Sequence, residues 1–479
     1  MNPPIDIKSI IQRFGPPGYE NAKGVLSKLN QPFWADYYVK NRVKIIYEPC
    51  EREFYNYEPS LGVYTPKSPD LIRAEMSALV FDGGQNWQGF QALEQFRSAD
   101  IIDKTVAHLR GHVEYRDFFN YPTNFVHLGN CTLRFETDGS KFTVESFSPD
   151  HRCRNRSPIS YEPAAACPEF KDKMLKHLPE EDRLLLQKYC GQALLGRNLT
   201  QRFVILDGVG GSSKSSLVQI VNGIVGPKNV YTLRTKLLDE RFEIGRMVGR
   251  TLLVGPDVKG NFLNEPGAHV VKSLVGNDTL EGESKKSNQR FPVHGVFNIF
   301  ITSNCRLCIY LDGDQSAWGR RIIIIRYDCP YTGQRIFEID KYLLAKEAPG
   351  ILNWCIDGLK LLFGDYAKTG DVILTPDQQK RVNDLIAESD SLRLFVENEI
   401  VKNDAKMSNG EHYSLTVEEI TTEYIEDCIK VKQWTPLPVT TVEKRLPDLM
   451  QRLFGTAKAH DLKRNGKNRR GFWKVRWRP

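Results

Sequence analysis

The chain has 479 residues, too many for one ordinary hydrophobic core, and length alone suggests roughly three domains. Hydrophobic residues make up 41% and charged residues 26%, the balance of a globular protein. No apolar run approaches the ~18 residues of a membrane span, and the opening MNPPIDIKSIIQRFG lacks a signal-peptide core, which points to a protein inside a cell with no membrane partner.

The net charge of +7 is unevenly spread: between Lys444 and Arg478 lie twelve Lys and Arg residues, with only Asp448 and Asp461 as acids. That is a local footprint for nucleic acid. The ten cysteines are scattered, mostly in apolar surroundings such as those of Cys190 and Cys355, and read as buried free thiols. Cys305 and Cys308 have zinc-ligand spacing, but no second pair accompanies them.

Residues 1 to about 40 show no strong pattern. Residues 43–64 read as two short strands with a turn at Pro59–Gly62, and 72–80 as a helix. The chain is β-rich over 118–147, with turns at Gly129-Asn130 and Asp138-Gly139, and 148–168 is a loop rich in Pro, Ala, Ser and Arg. Together these make an α+β N-terminal domain, 1–165, to which the sequence assigns no task. Residues 169–195 carry apolar positions at helical spacing (Met174, Leu175, Leu178, Leu184, Leu185, Leu186, Tyr189, Leu194), giving a helical collar or linker over 166–200.

The stretch FVILDGVGGSSKSSL follows, at 203–217. Four apolar residues form a short buried strand, a glycine-rich loop comes next, and Leu217, Val218, Val221 and Val225 then recur at helical spacing. Strand, glycine loop and helix are the context of a phosphate-binding loop: backbone N–H groups close around phosphate oxygens, and the helix N-terminus adds its positive end. The cradle would be Gly208, Val209, Gly210, Gly211, Ser212, Ser213, Lys214, Ser215 and Ser216, with Lys214 on the β- and γ-phosphates and the Ser215 hydroxyl on Mg²⁺. Ser213 stands where the G-x-x-x-x-G-K-[ST] pattern has glycine; a positive φ there costs serine roughly 1–2 kcal/mol, which binding survives.

Short strands are expected at 229–233, at 250–257 ending in Asp257, at 296–304 ending in Asn304, and at 322–326 after Arg320-Arg321. A helix over 262–275 stops at Gly276. Alternating helices and continuously apolar strands imply a parallel α/β sheet over 201–376, with ligands beyond the strand C-terminal ends. A nucleotide triphosphatase also needs Mg²⁺, an oriented water, a γ-phosphate sensor and a positive charge for the transition state. Asp257 is the candidate acid for the metal or water, the usual second acid beside it is absent, and Asp278 is a weak substitute. Asn304 is the candidate sensor, and Arg320 and Arg321 are candidates for an arginine finger. Lys285, Lys286 and Arg290 lie in a polar stretch that reads either as a hairpin gripping a nucleic-acid backbone or as a solvated loop.

Residues 348–363 read as an amphipathic helix after a turn, 364–376 as a connector and 377–398 as a helix. The polar loop 403–411 separates it from helices at 417–429 and 441–454, the latter bearing Lys444, Arg445 and Arg452. Residues 460–477 read as a hairpin around Asn465-Gly466, carrying Lys463, Arg464, Lys467, Arg469 and Arg470. Helix, basic helix and basic hairpin are the order of a winged helix, so 377–479 reads as a helical linker and DNA-binding domain. Phe472, Trp473 and Trp477 fit the core of that hairpin better than base stacking.

Taken in order, CPEFKDKMLKHLPEEDRLLLQKYCGQALLG, GVGGSSKSSL, LLVGPDV, VVKSLVGNDTLEGESKK, FNIFITSN, SAWGRRIII, APGILNWCIDGL and KRLPDLMQRLFG…HDLKRNGKNRRGF carry a resemblance from about Cys167 to the C-terminus. The chain resembles the superfamily 3 helicases of the phage/plasmid and poxvirus primase–helicase type, which are AAA+ ring ATPases. The resemblance implies Lys214 and Ser215 as the Walker A pair, Asp257 as the Walker B acid, Asn304 as sensor 1, Arg320 as the better-aligned finger with Arg321 second, and Lys285 and Lys286 on a pore-facing DNA hairpin. It also implies a homo-hexamer binding ATP and Mg²⁺ between subunits, translocation 3′→5′ on single-stranded and forked DNA, and work in the cytoplasm of a bacterial host or at a viral replication site. No D-x-D-like acid pair marks the N-terminal region as a primase, so a separate primase or polymerase would be the partner. Two rival readings remain: an initiator or assembly protein using ATP as a switch, favoured by Ser213, and a small-molecule P-loop kinase, which has no use for a basic C-terminal module.

Overall fold

The computed structural model describes residues 7–479 except 42–43, 88, 121–123, 137, 140, 261, 264–266, 284–289, 306, 308, 310–314, 331–335, 409 and 433–435. The architecture is mixed α/β, built on one five-stranded sheet. In spatial order its strands are Val230–Thr232, Leu252–Gly255, Asn298–Ser303, Phe203–Gly208 and Ile322–Tyr327, all parallel. The strands are continuously apolar because both faces are covered. On one face, the helices Lys214–Val225, Glu180–Leu195 and Ile339–Thr369 share a core with the sheet. On the other, Ala268–Val275 and Pro376–Ser389 contribute to a second core.

Glycine sets how closely the two long helices of the first face approach. A Cβ on Gly191 would lie 2.3 Å from the Leu359 amide nitrogen, and one on Gly358 would lie 2.0 Å from the Gln187 carbonyl oxygen. The helical run expected over 169–195 is divided: a short turn and a π-helical segment, Lys171–Leu175, precede Pro179, and the regular helix starts at Glu180. The opposite correction applies later. The turn expected ahead of the 348–363 helix is absent, and one helix runs from Ile339 to Thr369 with Pro349 inside it. Tertiary contacts hold this irregular point. A Cβ on Gly350 would stand 2.2 Å from the Ala166 carbonyl, Asn353 donates to the Glu162 and Ala165 carbonyls, and buried Glu347 accepts from the Glu169 and Phe170 amides.

Residues 7–40, which carry no strong pattern in the sequence, form two helices, Ile7–Phe14 and Gln31–Lys40, around a small hairpin. They pack with Pro69–Asn86 and Ala99–Val113 into a separate core around Trp34 and Tyr38. Ile45–Glu48, Glu53–Glu58 and Val63–Lys67 make a three-stranded meander, one strand more than the pattern suggests. A second meander, Phe125–His127, Thr132–Phe135 and Phe142–Glu145, shares the core of the central sheet. The loop after it acts as a strap. Asn155 donates to Asn229 Oδ1 (2.9 Å) and the Gly249 carbonyl (2.8 Å), Asn229 donates to the Arg156 carbonyl (2.8 Å), and Ser157 Oγ donates to the Ile224 carbonyl near the end of the Lys214–Val225 helix.

The C-terminal region has its own core, around Phe395, Tyr424, Leu446 and Phe472. The helix expected over 377–398 breaks at Asp390 into Pro376–Ser389 and Ser391–Glu399. Helices Val417–Glu426 and Val439–Phe454 lie beside a three-stranded antiparallel sheet, ordered Ser414–Thr416, Lys467–Trp473, Lys458–Arg464. Its hairpin turns at Asn465 (φ 53°) and Gly466 (φ 75°), the paired positive φ values that favour Asn-Gly in a two-residue turn. No helix among the described residues is long and apolar enough to cross a membrane.

Candidate functional site

The first five-residue loop after strand Phe203–Gly208 owes its shape to backbone positions that few side chains tolerate. Gly208 has φ 143°, and a Cβ there would sit 2.2 Å from the Tyr327 carbonyl oxygen on the adjacent strand. Val209 N–H donates to that same carbonyl at 3.2 Å. Gly211 has φ 77°, whereas a Cβ on Gly210 or Gly211 would meet nothing within 4 Å, so this part of the loop faces open space. Ser213 is left-handed at φ 66°, ψ 11°, immediately before the helix. The serine thus occupies the strained conformation for which the motif has glycine.

Lys214 opens the helix and is only 5% exposed. Its ammonium donates to the Gly208 carbonyl (2.8 Å), the Val209 carbonyl (2.7 Å) and Ser212 Oγ (3.0 Å), three acceptors for three N–H bonds. Burial lowers its pKa below the usual lysine value, against the opposing pull of Asp207 and Asp257. Ser215 is exposed on the first helical turn and Ser216 half-buried behind it.

Asp257 follows strand Leu252–Gly255 by two residues and has φ 45°. Thr302, on the neighbouring strand, fixes it: the Asp257 amide donates to Thr302 Oγ1 at 2.8 Å, and the Val258 amide to the Thr302 carbonyl at 2.9 Å. Asn304, just past that strand, donates from Nδ2 to Asp257 Oδ1 at 2.8 Å. Loop, lysine, carboxylate and amide therefore gather at the C-terminal ends of three adjacent parallel strands. Two contributors escaped the sequence reading. Asp207 is a second carboxylate acting on Lys214, supplied by the Phe203–Gly208 strand instead of standing beside Asp257; its position one residue before Gly208 was the available signal. Thr302 had no signal, since its part depends on strand pairing.

Arg320 and Arg321 lie at the other end of the sheet, where Ile322 pairs with Phe203 at the start of both strands. They differ in burial. Arg321 is 7% exposed and donates to the Lys272 and Ala317 carbonyls, both at 3.2 Å, so its guanidinium knits one subunit together. Arg320 is exposed. Arg290 lies on a real hairpin, Thr279–Glu283 paired with Arg290–His294, where it meets Glu281 at 3.0 Å. Lys285 and Lys286 fall outside the described residues, as does Cys308.

The basic residues of the C-terminal region form two groups. Arg464 donates to Glu419 Oε1 (2.8 Å) and the Ser414 carbonyl (2.7 Å), Arg445 pairs with Asp390 (3.6 Å), and Arg469 with Glu418 (3.3 Å). Lys444, Lys463, Lys467 and Arg470 are exposed. Phe472 is fully buried, and Trp473 donates from Nε1 to Asp461 at 3.2 Å.

The model of a family of unknown function, DUF5906, matches residues 206–321, from the glycine-rich loop to the arginine pair. No curated protein matches the chain. Among solved structures it is similar to the apo structure of the NrS-1 C terminal region (305-718), at 13% identity over 92% of this chain and 98% of that one, with a TM-score of 0.49. It is also similar to the A form apo structure of the same region, with the same identity and coverage and a TM-score of 0.48.

Proposed function

We propose that the protein is a ring-forming, ATP-driven DNA helicase serving replication of a phage, plasmid or other mobile element, moving 3′→5′ as the superfamily 3 resemblance implies. The observation that carries the reading is the Asp257–Asn304 hydrogen bond beside the Lys214 loop. A carboxylate held by an amide, next to a buried lysine at the end of a parallel sheet, suits splitting of a nucleoside triphosphate.

The cradle fits ATP and Mg²⁺: Gly208 admits no side chain, Gly210 and Gly211 border open space, and Lys214 contributes a cation whose present acceptors are only loop oxygens. Ser215 and Asp257 would hold the metal, which when bound supplies charge neutralisation between the phosphates. Lys214 would exchange its loop carbonyls for phosphate oxygens. Asp257 and Asn304 would orient the attacking water. Arg320, exposed and at the far end of the sheet from Lys214, suits a group offered to the neighbouring protomer's nucleotide, whereas Arg321 suits a structural role. The parallel sheet supports an AAA+ core, and the helices beside the Asn465-Gly466 hairpin support a winged helix with Lys444, Lys463, Lys467 and Arg470 toward DNA.

Lys214→Ala should remove DNA-stimulated ATP turnover and unwinding of a forked duplex; unwinding that persists in this variant overturns the mechanism. The strain at Ser213 favours one second reading, an ATP switch in a replication initiator with little unwinding. Turnover stimulated by single-stranded DNA separates the two.

A further inference from the structure

We infer that a second nucleic-acid contact lies far from the nucleotide, in a cleft of about 490 Å³ between the N-terminal domain and the opposite end of the central sheet. The floor includes Asn229, Thr251 and Phe297, the residues just before three of the parallel strands. One wall is Phe291, Pro292, Val293 and His294 of the Thr279–His294 hairpin. The other is the strap, whose Arg152, Arg154 and Arg156 alternate along an irregular segment. Arg197 and Arg250 complete the lining.

Five arginines thus face three carboxylates, Glu48, Glu51 and Asp117. Glu51 and Arg154 cancel as an ion pair, which leaves an excess of two cations in the lining, and Glu48 is held by backbone amides. Glu48 accepts from the Phe118 amide (3.0 Å) and the Cys50 amide (3.3 Å), and Glu51 pairs with Arg154 at 2.6 Å. Half-buried Phe119, Phe125 and Phe291 stand among these charges. Guanidinium groups interleaved with aromatic faces suit a single strand, the phosphates on the arginines and bases against the rings. Arg290 directly precedes Phe291 on the hairpin that forms this wall.

This inference rests on the DNA-binding part of the proposed function, and the test keeps the two apart. Anisotropy of a labelled oligo-dT, titrated across salt, compares the full-length wild type with R197A/R250A and R197K/R250K. The arginine-to-alanine variant should bind roughly tenfold more weakly, with a salt slope reduced by about 2, and the lysine variant should recover most of the loss. Thermal melting and nucleotide binding at the Lys214 loop, at the other end of the sheet, should be unchanged. Bromodeoxyuridine cross-links should map to peptides containing Phe119, Phe125 or Phe291. Wild-type binding with an unaltered slope in R197A/R250A, or cross-links confined to the C-terminal hairpin, overturns the cleft and leaves the helicase reading standing. Absence of any DNA binding by the wild type overturns both.

Discussion

The Lys214 end of the sheet and the C-terminal hairpin both concentrate charge, but they hold it in different ways. At the Lys214 loop the backbone does the positioning: Gly208 is pinned by the Tyr327 carbonyl, Ser213 is left-handed, and Asp257 hangs from Thr302. At the hairpin the frame is a regular two-residue turn, and the side chains are divided between holding the domain together and facing solvent. Arg464 and Arg469 on the hairpin and Arg445 on the neighbouring helix are committed to acids, whereas Lys463, Lys467 and Arg470 on the hairpin strands are exposed. The Lys214 loop is therefore legible as a motif because its geometry demands particular residues at particular spacings. A basic hairpin is legible only as a total charge, and folding decides which cations remain for a ligand.

The largest expected break of this contrast is Gly208→Ala. The added methyl meets a main-chain carbonyl that cannot swing aside, so nucleotide affinity should fall by about 100-fold or more in a fluorescent-nucleotide titration. DNA binding by the C-terminal domain should persist. Next, K463A/K467A/R470A should weaken binding to single-stranded DNA by roughly tenfold and reduce the salt slope by about 3 without moving the melting temperature. Arg464→Ala should do the reverse, lowering stability by about 1–2 kcal/mol in chemical unfolding with little change in salt slope. Ser213→Gly should relieve the left-handed strain and raise stability by about 1 kcal/mol, net of the entropy glycine adds to the unfolded chain.

The smallest effect concerns acid. Burial opposes the Glu419 charge, but Arg464 and the Thr416 amide outweigh it and hold the carboxyl below the ordinary range. Its folded pKa is the depressed one, so its stabilisation is complete above the unfolded value of about 4.3 and is lost as pH falls through the lower folded value. Acid unfolding of the C-terminal domain should therefore lose part of its pH dependence in Arg464→Ala, as read by Trp473 and Trp477 fluorescence.

How much could be read from the chain divides along the same line. The strands leading to Lys214, Asp257 and Asn304, and the Asn465-Gly466 turn, follow from local signals that tertiary packing does not oppose. The failures are places where a distant partner overrides the local signal. A turn is expected ahead of residue 348, yet Glu347, Gly350 and Asn353 dock the 162–170 segment along one helix that runs through this point. Ile7–Phe14 does carry a helical period at Ile7, Ile10, Ile11 and Phe14, but only over eight residues, whereas Gln31–Lys40 shows little. Asp207 carries no motif signal because it reaches Lys214 from its own strand, paired with Ser303, and not from the strand of Asp257.

The strap at Asn155–Ser157 has a mechanical consequence. It grips the far end of the helix whose first residue is Lys214. Twelve residues of helix form a stiff rod of about 18 Å. The Lys214 end is thereby joined through one helix to the strap and, through the bond from Arg156 to the Leu61 carbonyl, to the N-terminal region. The small domain at the front of the chain sits where a pushrod ends, so its position would register whether the loop at the other end is filled.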